Sequence, residues 1–154
     1  MKKGIGLMIV LALILALCAC GSMSAKEGLI IENDGSEITV AWDKIEREPF
    51  EGDLVNGKGE SSQDKYEGVE LRNLLAAKGI EVAEDSVITV TSEDDYSAGL
   101  TGAEVLEKGK VYVALSQNGE AIENLEGGQG AKLIVFGDPD RQRAVKYLKI
   151  VSIF

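Results

Sequence analysis

Stretches of alternating apolar and polar residues predict a protein rich in short β-strands. Ile38, Val40 and Trp42 alternate with polar residues, so one face of this segment is apolar, as in a half-buried strand. Residues 87–91 are all β-branched, which favours a buried strand. The same reasoning predicts further strands or extended segments at 29–31, 50–55, 96–100, 110–115, 132–136 and 145–153. The polar, glycine-bearing stretch that follows residue 55 predicts a loop.

One segment has the periodicity of an α-helix. In residues 69–79, Leu71, Leu74 and Leu75 fall on one stripe, which predicts an amphipathic helix with its apolar side toward the core. Gly79 follows the stripe, and glycine is favoured just after a helix because it tolerates a left-handed backbone. We therefore expect the helix to end there.

A second, shorter helix and a tight hairpin are indicated further along the chain. Thr101 and Glu104 have the spacing of a capping box, which predicts a helix that starts there and ends near Glu107. Asn118 and Gly119 both tolerate positive φ, so they favour a two-residue hairpin turn. Two helices among many short strands indicate a single α+β domain with a mixed or barrel-like sheet.

The start of the chain has the pattern of an export signal. Lys2 and Lys3 precede an apolar stretch from 5 to 19, which is shorter than the ~20 residues that span a membrane. The stretch ends Leu-Cys-Ala-Cys at 17–20, which resembles the lipobox of bacterial lipoproteins, with a small residue before Cys20. Cys18 is the weaker candidate because a leucine precedes it.

This resemblance predicts the organisation and location of the chain. Residues 1–19 are a lipoprotein signal peptide, residues 20–28 hold the lipidated Cys20 and a tether, and residues 29–154 form one domain. The protein is then extracytoplasmic and attached to the membrane through its lipid anchor. An uncleaved N-terminal anchor is the alternative, and it places the domain on the same side of the membrane.

The composition of the chain excludes several kinds of partner, catalytic site and metal site. The formal charge is −10, and loss of the two lysines of the leading segment makes the remainder more acidic, so nucleic acid is not an expected partner. There is no histidine, and the only cysteines are Cys18 and Cys20. Catalytic triads and thiolate metal sites are therefore excluded from the body of the chain, and we predict no metal site there.

Five segments, in order, resemble the molybdopterin-binding domain of the sulfite oxidase family. The first reads Tyr-Glu-Gly-Val-Glu-Leu-Arg-Asn-Leu-Leu, similar to the family's aromatic-x-Gly-Val-x-Leu-x-x-Leu-Leu. The fourth, which contains Gly-Gly-Gln-Gly-Ala-Lys-Leu, is similar to its Gly-Gly-Pro-x-Arg-Leu. The five segments span 66–75, 91–97, 114–122, 127–135 and 144–148. The resemblance implies the family's α+β fold with curved sheets, and a pterin cofactor in a cleft formed by loops.

The chain departs from the family where the resemblance places the metal. In the family a cysteine in the loop before the first segment binds molybdenum, but residues 53–62 contain none. The proline of the fourth segment is replaced by Gln129, and its arginine by Ala131 or Lys132. A soft metal needs a soft ligand, so oxygen-atom transfer at molybdenum is not expected. We predict no cofactor, and molybdopterin enters only through the resemblance.

The best candidates for ligand binding are cations and glycines near the end of the chain. Arg141, Arg143 and Lys146 supply positive charge in an acidic protein, and arginine offers a fork of donors for phosphate or carboxylate. Tyr96 and Gly128 lie in loops that the resemblance places near the same cleft. We expect Arg143→Ala and Lys146→Ala to weaken anion binding with little change in stability. The alternative is that these cations balance acidic neighbours on the surface.

Three classes of function follow. The favoured one is a lipid-anchored, non-catalytic module that binds a small anionic ligand or a partner protein at the former cofactor cleft. The alternative is a reduced molybdopterin-dependent oxidoreductase that holds the pterin without a protein thiolate. The third is a structural protein of the cell envelope without a ligand.

Overall fold

The computed structural model describes residues 27–56, 58–139 and 141–154, which form ten strands, two α-helices and a short 3-10 helix (Trp42–Lys44). The predicted signal peptide and Cys20 lie outside these residues. No helix in the described part of the chain is long and apolar enough to cross a membrane. The elements are β1 (Gly28–Asn33), β2 (Ser36–Ala41), β3 (Glu48–Val55), β4 (Ser61–Glu70), α1 (Leu71–Ala77), β5 (Val87–Ser92), β6 (Ser97–Thr101), α2 (Gly102–Leu106), β7 (Val111–Gln117), β8 (Glu120–Ala121), β9 (Lys132–Val135) and β10 (Leu148–Ile153).

The strands form two five-stranded sheets. The first has the order β2-β1-β10-β5-β6, and it is mixed because β1 runs parallel to β10, with Ile30 opposite Ile150. The second is antiparallel, with the order β3-β4-β7-β8 and β9 paired to β7. Strands β9 and β10 are consecutive in the chain but belong to different sheets, so the chain crosses from one sheet to the other between Val135 and Leu148.

The main core draws on both sheets and both helices. Alternation along β7 puts Val113 and Leu115 in this core, together with residues of β1, β5 and β10. Ala114 and Ile134 face the other side of the second sheet, where they form a smaller buried cluster with Leu54 and Tyr66. The predicted α+β class is confirmed.

The apolar face and end of α1 and the start of α2 agree with the sequence prediction. Helix α1 buries Leu71, Leu74 and Leu75, and Gly79 follows it with a φ of 72°. The capping box of α2 is present, with the Thr101 side chain accepting from the backbone N–H of Glu104. The hairpin turn is also confirmed, because Asn118 and Gly119 have φ values of 54° and 85°.

Three details of the sequence prediction are wrong. The loop predicted after residue 55 is short, because β4 begins at Ser61 and pairs with both β3 and β7. The sequence did not predict β4 because many of its residues are polar, and several of these lie on the exposed side of the sheet. Val69 pairs with Val113 in this strand, so the helix begins at Leu71 and not at 69. Strand β10 begins at Leu148, because Tyr147 has a φ of 52° that ends extended pairing.

Candidate anion-binding site

Three of the five residues predicted to bind a ligand, Arg141, Arg143 and Lys146, lie on the connection of residues 136–139 and 141–147, which we call the crossing loop. The backbone N–H of Leu133 donates to the Val145 carbonyl at 2.8 Å, which fastens the loop to β9. The Tyr96 hydroxyl donates to the Gln142 carbonyl at 2.5 Å, which fastens the loop to the turn before β6. The backbone N–H of Glu93 donates to the Tyr147 carbonyl at 2.9 Å. The structure therefore brings the Tyr96 turn and the 141–146 segment together.

Arg141 points from the crossing loop to the outer side of the second sheet. Its Nη2 donates to the Leu54 carbonyl at 2.7 Å and also to the Ser62 hydroxyl. Its Nε is buried and has no hydrogen-bond partner among the described residues. Its φ is 58°, a left-handed conformation that is strained for a residue with a side chain and costs on the order of 1–3 kcal/mol. Arg141 is therefore a fixed positive charge beside β3 and β4.

Lys132 and Lys146 lie close to Arg141, and we call these three residues the cationic cluster. Lys132 is half-buried at the start of β9, opposite Ala114 of β7. Burial, together with repulsion from Lys146 and Arg141, lowers the pKa of Lys132. Its ammonium forms no hydrogen bond or ion pair with any described residue. Positive charge is therefore concentrated here without full compensation.

One carboxylate, that of Asp64, faces the cationic cluster, and it accepts hydrogen bonds from neutral side chains. Asp64 accepts hydrogen bonds from Asn118 at 2.9 Å, Ser62 at 3.1 Å and Tyr66 at 3.3 Å. The bond from Asn118 outweighs burial and lowers the pKa of Asp64. Burial and the nearby Asp64 charge raise the pKa of Tyr66 to about 12, so its hydroxyl stays a donor. Three cations thus face one carboxylate.

Arg143 points away from this cluster. Its Nε donates to Asp138 at 2.9 Å, its Nη2 to the other oxygen of Asp138, and its Nη1 to Glu104 at 2.8 Å. The bonds to Asp138 overcome burial and raise the pKa of Arg143. Two carboxylates occupy its guanidinium, which ties the crossing loop to α2 and leaves little of the group for an external anion.

Gly128 has a local structural role. Its backbone N–H donates to the Asn124 side chain at 2.8 Å, and its carbonyl accepts from the Asn124 backbone at 2.9 Å. An added Cβ would approach Glu27 at 3.2 Å. The backbone of Gly128 is therefore not turned toward an anion. Its loop nevertheless reaches the Tyr96 turn, because the Leu125 N–H donates to Glu93 at 2.9 Å.

Lys132, Ser62 and Asp64 were not selected as site residues from the sequence. For Lys132 a signal was present, since it stands in the segment where the resemblance expects an arginine. For Ser62 and Asp64 there was none, because they were assigned to a loop. The register of β4 with β3, which sets Leu54 opposite Ser62, is what brings them to Arg141.

The donors do not fit a molybdenum centre. The turn between β3 and β4 closes on itself, with the Asn56 side chain accepting from the backbone of Lys58 and Glu60 at 2.9 and 3.0 Å. It offers no thiolate, and the described residues contain no group of His, Cys, Asp and Glu that could hold a metal ion. Five prominent clefts in the described structure, such as one of about 230 Å³ beside α1, do not include the cationic cluster. The cluster suits a small anion at an open surface.

The structure is an α+β domain. Its two sheets pack around a shared core, and a loop crosses between them beside the cationic cluster. A family model described as "Oxidoreductase molybdopterin binding domain" matches residues 41–153, so the chain belongs to this family. The structure is also similar to the sulfane dehydrogenase SoxCD from Paracoccus pantotrophus, with a TM-score of 0.65 and 18% identity. The match covers 85% of this chain and 39% of that chain. A search of curated proteins found no match.

Proposed function

We propose that this chain is a lipid-anchored, extracytoplasmic member of the molybdopterin-binding family that no longer catalyses and instead binds a small anion at the cationic cluster. The leading segment of the sequence supports the location, with its apolar stretch and the Leu-Cys-Ala-Cys ending at Cys20. The anion is a phosphate or carboxylate compound, because these groups match the donors of arginine and lysine.

The observation that carries the proposal is the incompletely compensated charge at Lys132, since three cations face the single carboxylate of Asp64. A half-buried ammonium beside Arg141 and Lys146 is unfavourable unless a negative group neutralises it. Arg141 adds a fixed positive charge, since its guanidinium is held by the Leu54 carbonyl and the Ser62 hydroxyl. An external anion would compensate the charge of the partly exposed Lys132.

The choice of a non-catalytic role depends on the missing donors. Family membership favours the second candidate, a reduced molybdopterin-dependent oxidoreductase. That activity needs a metal ligand, and the body of the chain has neither cysteine nor histidine. The cationic cluster could hold the phosphate of a pterin, but the residues around it provide no reacting group for oxygen transfer.

Titration with inorganic phosphate at low ionic strength tests the binding site. We expect Lys146→Ala to weaken binding about tenfold, because a charge-assisted hydrogen bond contributes roughly 1.5–3 kcal/mol. Lys146 is the suitable position, since it is exposed and its side chain forms no hydrogen bond or ion pair with a described residue. Lys149→Ala is the matched control, an exposed lysine three residues further on.

Comparison with Lys149→Ala distinguishes a specific anion-binding site from a general effect of the protein's net charge. If Lys146→Ala and Lys149→Ala weaken phosphate binding equally, the effect is one of net charge and the site does not exist. If the wild-type protein does not bind phosphate, sulfate or small carboxylates, the anion-binding function is refuted.

Lipid attachment is tested by cell fractionation. We expect Cys20→Ala to lose the lipid and accumulate as a heavier, unprocessed form, while Cys18→Ala is processed as the wild type is. Equal processing and membrane retention of Cys20→Ala and the wild type would contradict the lipoprotein assignment.

A further inference from the structure

A cleft of about 230 Å³ lies beside α1, at a distance from the cationic cluster. Residues at and just before the start of β3 form one wall, and the second half of α1 forms the other. Val69 and the buried Leu74 give the cleft an apolar lining. Glu48 at the start of β3 borders this cleft, whereas Arg141 contacts Leu54 near the end of the same strand, so the two places are on the order of 20 Å apart.

The rim of the cleft carries charges of both signs. Lys44, Glu46 and Glu48 lie on one wall, and Lys78 follows α1 on the other. Lys44 is 3.2 Å from the neighbouring Asp43. The side chains of Glu46, Glu48 and Lys78 are exposed and form no ion pair or hydrogen bond with another described residue. Opposite charges therefore border the same space without pairing across it, and a solute can reach them.

Regular structure fixes the backbone of both walls. Glu48 is opposite Gly68 in the pairing of β3 with β4. The buried Ile45 anchors the segment before β3 in the main core. On the other wall, the backbone N–H of Lys78 donates to the Leu75 carbonyl at 3.0 Å. The cleft is thus largely formed before a ligand arrives, as small-molecule sites usually are.

We propose that this cleft binds a small zwitterion with an apolar side chain, of the class of the free aliphatic amino acids. The ammonium group of the ligand pairs with Glu48, its carboxylate pairs with Lys78, and its side chain contacts Val69 and Leu74. The volume of about 230 Å³ is below the roughly 300–1,000 Å³ of pockets for drug-sized molecules, so a ligand of amino-acid size fits. A ligand with one charge would leave either the carboxylates or the lysines unpaired. This site is separate from the proposed anion-binding function and does not rest on it.

Calorimetric titration with L-leucine tests the proposal on the full-length protein, purified in a non-ionic detergent. The compound 4-methylpentanoate lacks the ammonium group of leucine, and 3-methylbutylamine lacks its carboxylate. We expect each to bind about three- to tenfold more weakly than leucine, between the effect of an exposed ion pair and that of a charge-assisted hydrogen bond. Glycine should also bind more weakly than leucine, because it has no apolar side chain to bury.

Pairs of variants with equal net charge locate the binding site. Lys78→Gln should weaken leucine binding about three- to tenfold, whereas Lys149→Gln, at an exposed lysine outside the cleft, should leave it unchanged. Glu48→Gln and Glu51→Gln form a second pair, since both glutamates are exposed in β3 and only Glu48 borders the cleft.

A steric pair tests the cleft without changing any charge. Ala76 and Ala77 are exposed neighbours in α1, and only Ala77 borders this cleft. Ala77→Phe should fill the space and abolish leucine binding, while Ala76→Phe should bind leucine as the wild type does. Thermal unfolding checks that both variants fold, and the charge pairs decide the question if Ala77→Phe does not.

The outcomes distinguish this site from the cationic cluster. Leucine binding that Ala77→Phe and Lys78→Gln weaken, and that their control variants do not, supports the proposal. It is overturned if leucine does not bind, if leucine binds no more tightly than its singly charged analogues, or if the two members of each pair behave alike. Lys146→Ala should bind leucine normally, so failure of the anion-binding function leaves this result unaffected.

Discussion

Removal of the Arg143 side chain should destabilise the fold, although the sequence alone suggests a surface residue. Its guanidinium joins Asp138 and Glu104, whose side chains are 7% and 23% exposed. Arg143→Ala leaves the Asp138 carboxylate buried without its cation. Loss of one partner lowers the free energy of unfolding by about 3–5 kcal/mol for a fully buried pair and by about 0–1 kcal/mol for an exposed one. This pair is partly buried, so we expect Arg143→Ala to lower the free energy of unfolding by about 2 kcal/mol. The expectation of little change in stability is therefore revised for this residue.

Thermal and urea unfolding measure the effect. A loss of about 2 kcal/mol corresponds to a fall in the melting temperature of roughly 6–10 °C for a domain of this size. Arg47→Ala is the control, because Arg47 is exposed and surface changes usually stay within about 0.5 kcal/mol.

A double-mutant cycle isolates the pair. Adding Asp138→Asn to Arg143→Ala removes the unpaired carboxylate, so the double variant should be more stable than the sum of the single changes predicts, by about 1–2 kcal/mol. If Arg143→Ala is as stable as Arg47→Ala, or if the cycle shows no coupling, the ion pair does not hold the crossing loop.

Two further predictions concern the second sheet. Gly68→Ala should destabilise the protein by at least ~2 kcal/mol in urea unfolding, because its Cβ would lie 2.0 Å from the Val113 carbonyl oxygen, while Gly99→Ala, with no atom within 4 Å, should change stability little. Bonds from Arg72 and neighbouring groups outweigh burial and lower the pKa of Glu70 below its ordinary 4.5, so stability should be lost as the pH falls below that value. In Glu70→Gln the free energy of unfolding should fall less steeply as the pH decreases below 4.5. The same steepness in the variant and the wild type would contradict this role of Glu70.

Much of the fold was predictable, because local patterns determine it. The leucine stripe of α1, the capping box at Thr101 and the turn at Asn118 each depend on neighbouring residues. Strand β4 was not predictable, since the pairing with β3 and β7 that stabilises it is long-range. Its polar residues therefore gave no local signal.

The candidate site was predictable only in part. The sequence indicated Arg141 and Lys146 by their charge, and Tyr96 by its turn. It could not show that Arg143 is occupied by Asp138 and Glu104, because arginines two positions apart look alike in sequence. Nor could it show that Lys132 faces Arg141, which follows from the crossing between the two sheets.

Native mass spectrometry of the protein purified from its own host most directly tests whether the chain has replaced the cofactor with a small anion. We expect a lipidated polypeptide with no molybdenum and no pterin, accompanied at most by a small phosphate or carboxylate compound that is lost in Lys146→Ala. A stoichiometric mass increase that corresponds to a molybdenum-bearing pterin would contradict it.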